Sequence, residues 1–149
     1  MRAVVQKVKE SKVTVDGKVT GIIGSGFLVL LGAAQDDEEK DALYLIDKIL
    51  NLRVFKDGND KMNLSCLDVK GEILVVSQFT LLGDVRRGRR PDFTRAADPE
   101  KANNLYRFFV DEIKKSGLNV GEGVFAAHMS VELINDGPVT VLLDSKKLF

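Results

Sequence analysis

Over the first third of the chain apolar and polar residues alternate with a period of two, which predicts strands. Ala3 to Val8 is followed by Val13 to Val15, by Asp16-Gly17 as a tight hairpin turn, by Val19 to Ile23 and by Phe27 to Leu31. Beyond Asp36 the period changes. Ala42, Leu43, Ile46, Ile49 and Leu50 fall on one face of a helix that starts behind an acidic first turn and runs to Leu50. Leu52 to Phe55 and Glu72 to Gln78 read as strands, and Ile73-Leu74-Val75-Val76 is apolar on both faces, as a central strand would be. A second helix is capped by Asp98 and opened by Pro99; Ala102, Leu105, Tyr106, Phe109 and Ile113 face the core, and Gly117 ends it. Met129 to Ile134 and Val139 to Leu143 follow as two strands joined through Asn135-Asp136-Gly137-Pro138. This order of elements gives a mixed or antiparallel α/β arrangement.

Composition narrows the class. The chain has 149 residues, 44% of them hydrophobic, and no repeat or linker-like stretch interrupts it, so one domain is expected. With 22 Lys+Arg against 22 Asp+Glu the formal charge is zero, which argues against a wholly basic nucleic-acid coat but leaves room for a local patch. Cys66 is the one cysteine: it makes no internal bridge and no Cys-based zinc site, and it points to a reducing compartment. The near-apolar run Phe27 to Ala34 is broken by Gly32 and falls far short of the roughly 20 residues of a membrane span. Charge at Arg2 and Lys7 interrupts the start before a signal-peptide core could form, so a cytoplasmic protein without membrane association is expected.

Three constellations carry candidate chemistry. Ser77-Gln78-Phe79-Thr80 stands where the buried strand emerges, offering two hydroxyls and an amide on a rigid platform to an ester carbonyl or an amine. The plainer account has Ser77 and Thr80 satisfying nearby backbone groups while Phe79 packs in the core. A hydroxyl nucleophile needs a base, and the one imidazole, His128, lies on the apolar stretch Val124 to Met129, where a partly buried structural histidine is expected. With no convincing protein base, a hydrolase here would borrow a group from its substrate.

Asn135-Asp136-Gly137-Pro138-Val139-Thr140 reads first as a turn, although a cis Gly-Pro bond there would fix carbonyl directions like a gate. The third constellation, Asp84 to Arg95, holds Arg86, Arg87, Arg89, Arg90 and Arg95 against two aspartates, a local charge of +3, and Gly88 and Pro91 make it a loop. Arginine forks match phosphate geometry, so an RNA backbone is one partner for it; pairing with acidic neighbours is the other account. Asp36-Asp37-Glu38-Glu39 reads as a helix start and not as a metal ligand set. There is no paired-carboxylate spacing, phosphate-binding glycine loop or dinucleotide fingerprint, and neither a metal nor a cofactor is expected.

Lys61-Met62-Asn63-Leu64-Ser65, Val75-Val76-Ser77-Gln78-Phe79-Thr80-Leu81, Gly88-Arg89-Arg90-Pro91 and Asn135-Asp136-Gly137-Pro138-Val139-Thr140 together resemble the D-aminoacyl-tRNA deacylase family. Met1 to Gln6 and Leu50 to Phe55 fit as well, so the resemblance spans the chain. It implies an α/β fold in one domain, residues 1–149, with mixed and largely antiparallel sheets forming a barrel-like core, two main helices, and assembly as a homodimer. It implies an editing hydrolase that cleaves the ester between a D-amino acid and the 3′ end of tRNA and also removes mischarged glycine. Ser77, Gln78, Phe79 and Thr80 would line the catalytic pocket, and Gly137-Pro138 of one subunit, with a cis bond, would enter the pocket of the other and reject L-aminoacyl esters. Within the family, Thr80 as nucleophile and the 2′-OH of the terminal adenosine are rival sources of the decisive hydroxyl, and the missing base favours the 2′-OH. Arg86, Arg87, Arg89 and Arg90 would meet tRNA phosphates; tRNA is the partner, not DNA. The resemblance assigns no role to His128 or Cys66. A catalytically silent tRNA-end binding module and a threonine esterase for small D-amino esters remain the alternatives.

Overall fold

The computed structural model describes residues 1–149. Its elements are β1 (Arg2–Val15), β2 (Lys18–Ile23), β3 (Gly26–Gly32), α1 (Glu39–Leu50), β4 (Phe55–Lys56), β5 (Met62–Leu64), β6 (Glu72–Ser77), a single 3-10 turn (Phe79–Leu82), α2 (Pro99–Lys114), β7 (Val120–Glu122) and β8 (Ser130–Asp144). The expected α/β class, barrel-like sheet, two helices and single domain are all present. No helix is long and apolar enough to cross a membrane.

The length of β1 sets the barrel. Its first half pairs antiparallel with β3, its second half antiparallel with β2, and β8 runs antiparallel along the opposite edge from Arg2 to Thr14. β6 then adds to β3, and β7 to β6, both in parallel. The sheet curls until β2 approaches β7. At that seam a Cβ on Gly21 would sit 2.6 Å from the Glu122 carbonyl oxygen, so only glycine lets the two backbones come so near. Val8, Val13, Ile23, Leu28, Leu74 and Val76 fill the inside of the curl. The larger core lies on the other face, where Phe27, Val29, Ile73 and Val75 meet Leu45 and Ile49 of α1 and Phe109 and Ile113 of α2.

Both helices begin where the side-chain chemistry allows. Asp98 accepts from the Lys101 N–H at 3.0 Å ahead of Pro99, as the sequence indicated. α1 starts at Glu39, later than the acidic run suggested. Asp37 is withdrawn into the protein, where one carboxylate oxygen lies 2.6 Å from the Met1 ammonium and the other accepts from the Ala34 N–H at 2.6 Å. Glu38 and Asp41 then form the capping box. On α1 the buried positions include Leu45, while Leu43, expected inward, is 47% exposed.

Among the strands several expectations change, beginning with Ala3 to Val8 and Val13 to Val15, which are one continuous β1. The strand predicted at Leu52 to Phe55 shrinks to Phe55–Lys56 paired with β5. β7, with a glycine at 121 and another just past its end, carried no strand signal and is recruited by pairing with β6. The two strands expected around Asn135 to Pro138 are one continuous strand, because this segment is a bulge against β1 and not a turn.

Candidate active site

β3, β6 and β7 run parallel, so their carboxyl ends open at one side of the sheet, the position where parallel α/β sheets hold ligands. A cleft of about 520 Å³ lies there. Leu31 and Ala33 come from the end of β3, Ser77, Gln78 and Phe79 from the end of β6, and Phe125 to Met129 from the segment after β7, with Tyr106 of α2 behind them. Its walls are mainly apolar and its size suits a small organic group.

The β6 end is fixed from beneath. Val75 and Val76 are buried, and the Gln78 N–H donates to the Leu31 carbonyl at 2.7 Å. The chain then tightens into the 3-10 turn, in which Leu81 N–H donates to Gln78 O at 3.3 Å and Gly83 N–H to Thr80 O at 3.0 Å. The N–H groups of Phe79 and Thr80, at the start of this turn, have no acceptor inside it. The Gln78 amide donates to the Thr80 hydroxyl oxygen, and the Ser77 hydroxyl makes no hydrogen bond within the protein. Phe79 is 56% exposed and meets the Phe93 ring edge-on, 5.1 Å between centroids. The plainer account of this tetrad therefore fails: Phe79 is not in the core, and neither hydroxyl serves the backbone. Thr80 is exposed beside the cleft and is not among its lining residues.

His128 departs from its expected place. It is exposed, lines the cleft, and has neither a hydrogen bond nor an ion pair within the protein. The reason is the segment after β7, which turns at Ala126 (φ 62°) and Ala127 and so carries residue 128 to the rim, not inward. Tyr106, which the pattern placed only on the helix's core face, also forms a wall. Its hydroxyl donates to the Val75 carbonyl at 2.9 Å, and burial, with the Glu122 charge, pushes it up to about 12. Cys66 is buried, and burial pushes its thiol up to about 12. No group of three or more His, Cys, Asp or Glu side chains is arranged to hold a metal ion.

Gly137 and Pro138 lie elsewhere on the chain, exposed in β8 and not on the walls of this cleft, with a cis bond between them. Asn135 pairs with Val8 and Thr140 with Gln6, so Lys7 alone faces residues 136–139. Gly137 has φ +120°, a value L side chains rarely adopt. Lys7 Nζ lies 3.0 Å from an Asp136 carboxylate oxygen, and this ion pair holds the Asp136 carboxyl below its ordinary range.

The arginine segment is joined to the cleft through the Phe79–Phe93 contact. Asp84 and Asp92 close it with reciprocal backbone hydrogen bonds of 2.8 and 2.9 Å. The Arg86 guanidinium pairs with Asp84, holding that carboxyl well below the usual carboxylate range. Arg87, Arg89 and Arg90 are exposed and pair with no carboxylate, so acidic neighbours neutralise only one member of the set.

Comparison with known proteins places this arrangement. The family model described as D-Tyr-tRNA(Tyr) deacylase matches residues 4–144. A protein named D-aminoacyl-tRNA deacylase from Clostridioides difficile (strain 630) is 65% identical over 149 residues, covering 100% of both chains. One of the same name from Thermosipho melanesiensis is 59% identical, again over 100% of both. Among solved structures, one titled c-Myc DNA Unwinding Element Binding Protein is 43% identical with a TM-score of 0.91, covering 97% of this chain and 98% of that one. A probable eukaryotic D-amino acid tRNA deacylase shares the fold at 18% identity, with a TM-score of 0.81 over 96% of this chain and 98% of its own. The chain belongs to the D-aminoacyl-tRNA deacylase family.

Proposed function

We propose that the protein hydrolyses the ester joining a D-amino acid, or mischarged glycine, to the 3′ end of tRNA, releasing free amino acid and tRNA. The observation that carries this reading is the chemistry at the end of β6: hydrogen-bond donors, with no base bonded to either hydroxyl. Thr80 Oγ1 has one polar partner, the Gln78 amide, which donates to it and accepts no proton from it. An unassisted hydroxyl is a poor nucleophile at neutral pH. Water is therefore the nucleophile, and the 2′-OH of the terminal adenosine assists it. Water adds to the ester carbonyl, the bond from the acyl carbon to the ribose 3′ oxygen breaks, and that oxygen takes the proton lost by water. The N–H groups of Phe79 and Thr80, with the Gln78 amide, would hold the developing oxyanion; one such donor is typically worth about 10²–10³ in rate.

Selection would be separate from chemistry. D and L esters differ only by exchange of two substituents at one carbon, which affinity alone distinguishes weakly. Since Gly137 and Pro138 are exposed on their own subunit, they are available to a second copy of the chain. In a homodimer they would enter the partner's cleft, hold the α-amino group and leave no volume for an L side chain. Glycine and D-residues of many kinds would pass. Arg87, Arg89 and Arg90, with Arg86 held to Asp84, would meet phosphates of the acceptor end, and the work would be done where aminoacyl-tRNA is made, in the cytoplasm.

The test is amino-acid release from matched D- and L-aminoacyl-tRNA, with a third substrate whose terminal adenosine lacks the 2′-OH. Release from the D ester alone, abolished in the 2′-deoxy substrate, is expected. Retardation of both tRNAs without release would mean a silent binding module; an acyl-Thr80 adduct with undiminished activity on the 2′-deoxy substrate would mean a threonine esterase.

A further inference from the structure

We propose that Asn135 is the positioning residue of the chiral selector: its side-chain amide, hydrogen-bonded to the carbonyls of Lys7 and Val139, sets the Gly137-Pro138 bulge and through it the ratio of D to L hydrolysis. The inference rests on the selection step proposed above.

A bulge removes ladder hydrogen bonds from the strand that carries it. Here the loss is large, since four residues of β8 stand against Lys7 of β1. Asn135, at the start of the bulge, replaces what is missing. Its Nδ2 donates to Lys7 O at 2.9 Å across the sheet and to Val139 O at 3.0 Å on the far side of the bulge. One NH₂ group has two hydrogens, and each carbonyl takes one. Both ends of the bulge and the facing strand are thereby tied to a single planar group. Its orientation is also fixed: Thr140 Oγ1 donates to Asn135 Oδ1 at 3.5 Å and itself accepts from Gln6 Nε2 at 3.3 Å. Turning the amide over would set an oxygen against two carbonyl oxygens. Between these ties Gly137 has little room, because a Cβ there would lie 2.8 Å from Val139 Cγ2.

Asn135→Asp is the sharpest probe. It keeps the size and shape but points a carboxylate oxygen at the two carbonyls, so the bulge is pushed open where Asn135→Ala would only leave it untied. Initial rates on matched D- and L-aminoacyl-tRNA should show the D-to-L ratio of kcat/KM falling at least tenfold for Asn135→Asp and less for Asn135→Ala. Thr140→Val, at an exposed position, removes the group that orients the amide and should lower the ratio two- to fivefold; it decides the matter should Asn135→Asp fail to fold. An unchanged ratio in folded variants, or equal losses on both substrates, would overturn the proposal, because a purely structural role moves both rates together. Wild-type protein that fails to prefer the D ester would instead sink the functional reading itself.

Discussion

The end of β6 and the middle of β8 both present main chain at the surface, but they are held by opposite means. β6 rises through a sheet whose two faces are apolar, and Ile73, Leu74, Val75 and Val76 are all buried, so Ser77 to Phe79 inherit their position from packing. The bulge of β8 has no such support. Gly137 and Pro138 are exposed, and what surrounds them is an amide, an ion pair and a hydroxyl. Packing averages over many contacts of about 0.1–0.2 kcal/mol each and tolerates change in any one. A polar brace depends on the placement of single atoms. A device that discriminates at one carbon therefore has a different vulnerability from the platform that performs hydrolysis.

The largest effect should come from the apolar side of that contrast. Phe109 is fully buried in the core that also contains Ile73 and Val75. Phe109→Ala should cost about 3–5 kcal/mol of stability, read by urea unfolding, with the D-to-L ratio of the protein still folded left unchanged. A shift in that ratio would mean that the two regions are not independent. The next effect concerns a polar anchor in the first turn of α1. Burial pushes the Asp41 carboxyl up, but hydrogen bonds from Glu38 N–H and from the Ser145 and Lys146 side chains, with the N-terminal charge, outweigh it and bring it to about 2. A carboxyl depressed in the folded state contributes its stability above its unfolded pKa of about 3.9 and loses it as pH falls through about 2. About 2 kcal/mol should disappear over that window, and Asp41→Asn should flatten this part of the stability-pH curve.

The same contrast explains what the sequence disclosed. Packing-held elements leave a periodic trace: the alternation at Val13 and Val15, the helical stripe from Ala102 to Ile113 and the doubly apolar β6 were all legible. Elements held by pairing or by side-chain hydrogen bonds leave none. β7 is three residues recruited by β6, and the β8 bulge looks like a turn because Gly-Pro is ordinary turn chemistry and nothing in the order of residues reveals that Asn135 spans it. Ser77 to Phe79 were recognisable as a strand end. His128 and Tyr106 were not recognisable as cleft walls, since that depends on how the segment after β7 and the face of α2 meet across the sheet.

A smaller effect tests how the arginine segment serves the β6 side. Arg87, Arg89 and Arg90 are free of carboxylates, whereas Arg86 is held by Asp84. Replacing the three free arginines by Ala should weaken tRNA binding about tenfold and lower the slope of log affinity against log salt by about two, roughly 0.7 for each single-strand phosphate contact. The rate of release from saturated enzyme should change little, because the replaced groups lie outside the cleft. An unchanged salt slope would remove the segment from the tRNA-binding surface.

The smallest effect is expected at His128, and it bears directly on the chemistry at the end of β6. A general base must be held in one orientation by a further partner, as an imidazole is by a carboxylate in hydrolytic triads. His128 lines the cleft but is exposed and has no hydrogen bond or ion pair within the protein to fix its ring. Thr80 meanwhile receives its one hydrogen bond from Gln78. His128→Ala should therefore leave kcat for D-aminoacyl-tRNA within about twofold, since general acid-base catalysis, where it operates, is worth about 10²–10⁴. A loss on that scale in a folded variant would return the proton transfer from the substrate's 2′-OH to the protein.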